Sequence, residues 1–340
     1  MARVFLLSAA PPGHERAYFD LEELRACARL DRFGIHSAVD DPNEANLILF
    51  VENSVNAGPY FEKVRRHPLY RARRAESYMF CSTDRFIPML PGVYAAVERS
   101  WYWPSWTRSG HYVGVREDGH LRYEPADGAR PYLFSFVGST VSHPVRRRLM
   151  SIRHPHALLI DTQAGPGDRG SLTPEDYERR FADSVKSSAF ILCPRGGGPS
   201  SFRLFEAMML GRAPVIVSDQ WVPPTGPDWD SFSVRVKQDE VHTIPDVLEA
   251  RASEASRMGE AARAAWLDWF SEEVSFHRIV ESCLELRSSA SSRAGMCRYA
   301  PHLQLLRPYQ AARWAAKRLG HGTRWSHRPS GRSEGDAKPL

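Results

Sequence analysis

Apolar and polar positions along the chain fall into two series in which strand and helix alternate. Arg3 to Ser8 has the pattern of a buried strand. Tyr18 to Phe33 carries Phe19, Leu21, Leu24, Cys27 and Ala28 near helical spacing and stops at Gly34. Ala45 to Val51 and Tyr78 to Cys81 predict two further buried strands. The run Trp101-Tyr102-Trp103-Pro104-Ser105-Trp106 is aromatic and Pro-broken, which predicts a loop, and residues 107–130 show turn signals without a clear period. A second series starts near Tyr132. Leu133 to Val137, Ala157 to Asp161, Ala189 to Cys193 and Ala213 to Val217 read as strands. Pro144 to Arg153 and Pro174 to Ser187 read as helices, each with Pro in its first turn. Ile244 to Ala250, Ala252 to Phe270 and Glu273 to Arg287 read as closing helices. Two βαβ series joined by a turn-rich connector predict an α/β protein with two parallel-sheet, Rossmann-like domains and a cleft between them. The expected boundaries are 1–130 and 131–288, followed by a tail over 289–340.

The densest chemistry lies between the strand at Ala189 and the strand at Ala213. Gly196, Gly197 and Gly198 allow a sharp turn and close approach of a ligand. Ser200 or Ser201 is a helix cap candidate, and Gly211 ends the helix. The amides of such a helix start suit a diphosphate, because the helix dipole is positive there. Arg195 stands at the carboxyl end of the strand, the edge where ligands bind in open α/β sheets. Arg203 and Glu206 are three residues apart and share one helix face. Cations suited to phosphate and a carboxylate suited to paired sugar hydroxyls describe a nucleotide-sugar site. Gly138 and Ser139 form a second strand-to-helix turn, with Arg146 as the arginine of the Arg146–Arg148 run directed at the same cleft.

The stretch CPRGGGPSSFRLFEAMMLGRAPVIVSDQWVPP, from Cys193 to Pro224, resembles the donor-binding core of exostosin-type glycosyltransferases. Asp228-Trp229-Asp230-Ser231-Phe232-Ser233-Val234 is similar to that family's D-W-x-x-F-S-V continuation, and Phe134 to Ser139 to the turn that opens the same domain. The resemblance covers about residues 131 to 250. It implies the GT-B arrangement, with the donor nucleotide on the C-terminal domain and the acceptor on the N-terminal one. It also implies an inverting transfer of sugar from a nucleoside diphosphate, UDP by analogy, to a hydroxyl of a glycan or glycolipid. Glu206 is then the residue that holds the ribose hydroxyls. A catalytically inactive binding protein of the same fold is the alternative. An epimerase or dehydratase lacks support, because no GxGxxG follows the first strand; Pro11-Pro12-Gly13 does not fit.

Composition narrows the setting. The hydrophobic content of 42% and charged content of 25% are those of a globular protein, and no apolar run approaches a transmembrane length. Val4 to Ala10 reads as a strand rather than a signal sequence. The five cysteines are scattered, without CxxC or Cys/His metal spacing, so a reduced compartment and no zinc site are expected. The family's animal members are membrane-anchored, and a chain without that anchor is expected in the cytoplasm or at the inner membrane surface. Residues 287–340 hold eleven Lys and Arg against two Asp and Glu, so the net charge of +5 belongs to the tail. The tail carries a candidate amphipathic helix, Pro308 to Leu319, suited to an anionic membrane. Basic character confined to a tail argues against nucleic acid as a partner.

A transfer that inverts the sugar needs a group to take the acceptor's proton. Asp84, just past the third strand, is the candidate; His14, Asp20, Glu52 and Asp219 are rivals. Asp228 and Asp230 spell DxD, yet their surroundings predict a structural role, so no metal cofactor is expected. Trp101, Tyr102, Trp103 and Trp106 are either a sugar-stacking platform or a packed plug between domains.

Overall fold

The structure is a computed structural model that describes residues 1–10, 15–52, 61–84, 88–125, 130–162 and 174–289. His14 and the Pro308–Leu319 segment lie outside the described residues.

The first sheet contains β1 (Arg3–Leu7), β2 (Ser37–Val39), β3 (Leu47–Glu52), β4 (Ser77–Cys81), β5 (Gly92–Tyr94) and β6 (Thr107–Ser109). Its order is β2-β1-β3-β4-β5-β6 and every pairing is parallel. The helices of this half are α1 (Glu15–Leu30), α2 (Glu62–Arg66) and α3 (Pro68–Ala72). β3 and β4 are buried along their whole length, as expected of strands covered on both faces. The strands β2, β5 and β6 are three residues each, too short to impose a period on the sequence.

The second sheet contains β7 (Tyr132–Gly138), β8 (Ala157–Asp161), β9 (Ser188–Pro194), β10 (Ala213–Val217) and β11 (Val234–Arg235), in the parallel order β11-β10-β9-β7-β8. Its helices are α4 (Pro144–Leu149), α5 (Pro174–Lys186), α6 (Phe202–Met209), α7 (Trp229–Phe232), α8 (Ile244–Glu249) and α9 (Ala255–Trp269). Gly211 takes φ +65° just past α6, which lets the chain reverse into β10. α4 is shorter than its pattern predicts and stops at Leu149. The two parallel-sheet domains are those expected from the two series.

The last helix, α10 (Glu272–Ser289), corrects the expected boundary of 131–288. It leaves the second domain and returns to the first. Phe276, Ile279, Val280, Cys283 and Leu286 join one apolar core with Leu21, Leu24 and Cys27 of α1 and with Val4, Leu6, Leu47 and Leu49 of the sheet. Its apolar face predicts a core to bury but carries no address for it.

Between the sheets the chain is stitched at several points. Glu98 forms an antiparallel bridge with Trp221, and the Arg99 amide donates to the Gln220 carbonyl at 2.8 Å. The Ser109 hydroxyl donates to the Val222 carbonyl at 2.6 Å. His111 lies in this seam, fully enclosed by Phe205 of α6, Phe270 and Ser275 of α10. The Ser275 hydroxyl donates to backbone carbonyls one turn back. It therefore accepts from the imidazole Nε2–H at 2.7 Å.

Burial pushes the His111 imidazole down to about 3, so the folded protein holds it neutral. Below about pH 6.5 the unfolded chain takes up a proton that the folded chain refuses until about pH 3. The stability due to a neutral His111 is thus full above 6.5 and is lost as pH falls. Denaturant unfolding of the wild type and His111→Phe between about pH 6 and pH 4 should show the wild type losing about 1.4 kcal/mol more per pH unit. Parallel slopes would contradict a buried neutral His111.

Candidate active site

The strand order fixes where a ligand crevice opens in the second domain. From β7 the chain goes to β8 on one side and then to β9 on the other. The connections after β7 and β9 therefore diverge, and a crevice opens at their carboxyl ends. Gly138 and Ser139 form one lip, and Arg195 to Gly198 form the other.

Arg146, from α4, closes the base of this crevice. Its Nε donates to the Arg195 carbonyl at 2.9 Å, and its two terminal nitrogens to the carbonyls of Ser139 at 3.1 Å and Pro194 at 3.2 Å. The planar guanidinium thus joins both lips with bonds of fixed direction. The space beside it is full: a Cβ on Gly196 would lie 3.1 Å from its Nη2, and one on Gly138 would lie 3.0 Å from the Phe136 ring. Asp161, at the end of β8, braces the first lip by accepting from the Thr140 hydroxyl at 2.6 Å and the Thr140 amide at 3.2 Å. Arg147 and Arg148 are exposed on the far face of α4.

Arg195 is 9% exposed. One terminal nitrogen bonds Glu98 of the first domain at 3.0 Å, while its buried Nε has no hydrogen-bond partner. Arg203 lies 3.7 Å over the Phe181 ring, donates to the Val137 carbonyl at 3.3 Å and pairs with Glu206. Glu206 is therefore held in orientation by its neighbour one turn back. Ser201 occupies the cap position of α6 but its side chain makes no cap bond, and Ser200 is buried behind it. One expectation needs correction. The Gly196 amide donates to the Gly198 carbonyl at 3.2 Å and is consumed inside the loop, so it is not a donor to a ligand. Gly197 is the half-buried crest of the loop.

Across the cleft the first domain presents two carboxylates to this loop. Asp84 lies so close that a Cβ on Gly198 would stand 2.6 Å from its Oδ1 and 3.0 Å from the Ala96 Cβ. The glycine is needed here because the opposing domain fills the space a side chain would use. Asp84 Oδ1 accepts from the Tyr112 hydroxyl at 3.1 Å. Glu98 is the second carboxylate, paired with Arg195 as described. Glu98, Tyr112 and Asp161 carry no signal in the sequence that marks them for the site. Each matters only through a partner distant in the chain, and Tyr112 falls in the stretch without a period.

The other acids are committed elsewhere. Asp20 is buried and pushed up to about 6 by that burial, and accepts from Ser82. Glu52 is buried and pushed up to about 7, and accepts from the Ala9 amide and the Ser8 hydroxyl. Asp219 accepts from the Gln238 amide and side chain at 3.1 and 2.9 Å. Trp101, Tyr102 and Trp103 pack partly buried against the core of the first sheet, and Trp106 bonds the Pro88 carbonyl at 3.0 Å. Asp228 and Asp230 are exposed on either side of the buried Trp229.

His36, His277 and Glu281 bring three ligand-type atoms within 4.8 Å of one another where α10 meets the first domain. The chemistry does not fit a metal. The Ala2 amide donates to His36 Nδ1 at 3.0 Å, so Nε2 carries the proton and donates to Glu281 at 2.7 Å. A metal on Nε2 would require Nδ1–H to face another N–H. The thiols of Cys27, Cys81, Cys193 and Cys283 are buried and unpaired, and burial raises all four.

Comparison with known proteins bears on residues 103–250, which include β6 of the first sheet and most of the second domain. Residues 103–250 match the profile of the Exostosin GT47 domain. This stretch is similar to an exostosin GT47 domain. It is 31% identical over 137 residues to an Exostosin-1 homolog of Caenorhabditis elegans, a match that covers 36% of each protein. It is 32% identical over 142 residues to the probable glucuronosyltransferase GUT1 of Oryza sativa subsp. japonica, covering 34% of each. The matches therefore span about a third of these relatives' length. Among solved structures, Acinetobacter baumannii MurG overlays with a TM-score of 0.40 at 10% identity, over 83% of this chain and 99% of that one. Anabaena HepE in complex with UDP overlays with a TM-score of 0.38 at 10% identity, over the same 83% and 99%. Arg146, Arg195, Arg203, Glu206 and Tyr112 fall within the exostosin match, whereas Asp84 and Glu98 lie outside it.

If Arg146 joins the two lips, an ammonium should not replace it, because a point charge cannot hold three carbonyls in one plane. Arg146→Lys should lower stability by roughly 2 kcal/mol, the scale of charged hydrogen bonds lost. Chemical denaturation measures this. An unchanged midpoint would show that the lips hold without the clamp.

Proposed function

We propose that this chain is a glycosyltransferase that moves a sugar from a nucleoside diphosphate sugar, a UDP-sugar by analogy with the exostosin family, to a hydroxyl of a glycan or glycolipid. The observation that carries this is Arg195. It stands at the switch point of the second sheet with its buried Nε unpartnered, beside the uncapped start of α6 and opposite Asp84. A leaving diphosphate develops negative charge, and a preorganised guanidinium at that point stabilises it. Arg203 holds Glu206 for the ribose hydroxyls. Gly138, Ser139, Gly197, Ser200 and Ser201 shape the walls around the phosphates.

Asp84 is the proposed base. The acceptor oxygen attacks the anomeric carbon from the side opposite the diphosphate, which inverts the configuration. The acceptor's proton passes to the Asp84 carboxylate, and the electron pair of the breaking bond leaves with the diphosphate. Glu98 is the less suitable base, because Arg195 already compensates its charge. The main contributions are orientation of the two substrates and leaving-group stabilisation.

Calorimetry with UDP tests the site. Glu206→Ala should weaken UDP by roughly 1.5–3 kcal/mol, on the order of ten- to a hundredfold. Unchanged affinity would remove Glu206 from the nucleotide site. The proposed reaction also assigns the diphosphate charge to arginine and helix amides, with no divalent cation. UDP binding, and UDP release from a panel of UDP-sugars that includes UDP-glucuronic acid, should persist in EDTA. Loss in EDTA with recovery in Mn²⁺ would return Asp228 and Asp230 to consideration as ligands.

A further inference from the structure

Tyr112 connects the two faces of the cleft. It follows β6, in the chain segment that passes from the first domain to the second. Its ring stacks on Phe202, the first residue of α6, with centroids 3.8 Å apart and planes at 21°. The Phe205 ring meets it edge-on at 5.9 Å. These contacts hold the ring against α6, and the hydroxyl donates to Asp84 Oδ1 at 3.1 Å. The Tyr112 phenol is pushed well above its usual value, first by burial and then by the Asp84 charge. It therefore stays protonated and can act only as a donor to that carboxylate.

We propose that Tyr112 is the positioning residue for the Asp84 base: the stack on α6 fixes the phenol, and the phenol fixes one carboxylate oxygen against the glycine loop. This rests on the transfer reading above. The carboxylate has two oxygens. Oδ1 is occupied by the phenol beside Gly198, and the other is then the one presented to the acceptor hydroxyl. In the transfer that oxygen forms a bond to the acceptor's proton while Oδ1 keeps the bond from Tyr112. Because the ring rests on α6, the same contact sets the distance between the base and the sugar's diphosphate. An unanchored carboxylate on a loop would lose that alignment, and a misplacement of about 1 Å costs on the order of a hundredfold in rate.

Tyr112→Phe removes the hydroxyl and keeps the stacked ring. The full chain is assayed for UDP release from whichever UDP-sugar of the panel turns over, and for UDP binding by calorimetry. The expected result is a drop in kcat of about tenfold, with KM for the sugar nucleotide and the Kd for UDP within about twofold of wild type. Asp84→Asn should drop kcat further, and adding Tyr112→Phe to it should cost nothing more, because the phenol acts through the carboxylate. Unchanged kcat in Tyr112→Phe, a matching loss of UDP affinity, or a second full loss in the Asp84→Asn background would each overturn the proposal. A wild-type protein that binds UDP and releases none from any sugar would instead defeat the transfer reading itself, and the role of Tyr112 with it.

Discussion

The arrangement depends on one guanidinium. Parallel strands that diverge at a switch point leave a gap at their carboxyl ends, and nothing in the sheet's own hydrogen bonds closes it. Arg146 does so by bonding carbonyls on both sides. This fixes the crevice width before any ligand arrives. The loop around it is tight. A Cβ on Gly196 would crowd Arg146, one on Gly138 would crowd the Phe136 ring, and the Gly196 amide turns back onto the Gly198 carbonyl.

The second constraint is the close approach of the two domains. Asp84 and Ala96 press on Gly198, Glu98 reaches Arg195, and Tyr112 joins Asp84 to α6. The proposed transfer would need cations on one wall and a proton acceptor on the other. Arg195 stands on one wall, partly neutralised by Glu98, and Asp84 stands on the other. Helix α10 gives the domain arrangement a structural basis, since it starts beside the second domain and buries its apolar face in the first.

Much of this was legible in the sequence because long apolar runs leave few options. β3, β4, β7, β9 and β10 are mostly buried, and each is built on an apolar run, broken in β7 by Ser135 alone. The glycine loop and its arginines were legible for a similar reason, since three glycines between a strand and a helix restrict what the backbone can do. The three-residue strands β2, β5 and β6 were not legible, because they contain too few positions to show alternation. The destination of α10 was not legible either, since an apolar face looks the same whichever core receives it. Glu98 and Tyr112 owe their roles to contacts made 97 and 28 residues away in the chain. Arg146 stood out only as one of three consecutive arginines, and just one of the three turns inward.

The crevice between the ends of β7 and β9, facing Asp84 and Glu98, is the proposed donor site. A crystal structure of the full chain grown with UDP tests it most directly. The expected complex has the diphosphate against Arg195 and the start of α6, a phosphate oxygen accepting from the Arg195 Nε, and the ribose hydroxyls on Glu206. UDP seated elsewhere, with the Arg195 Nε still unpartnered, would contradict it.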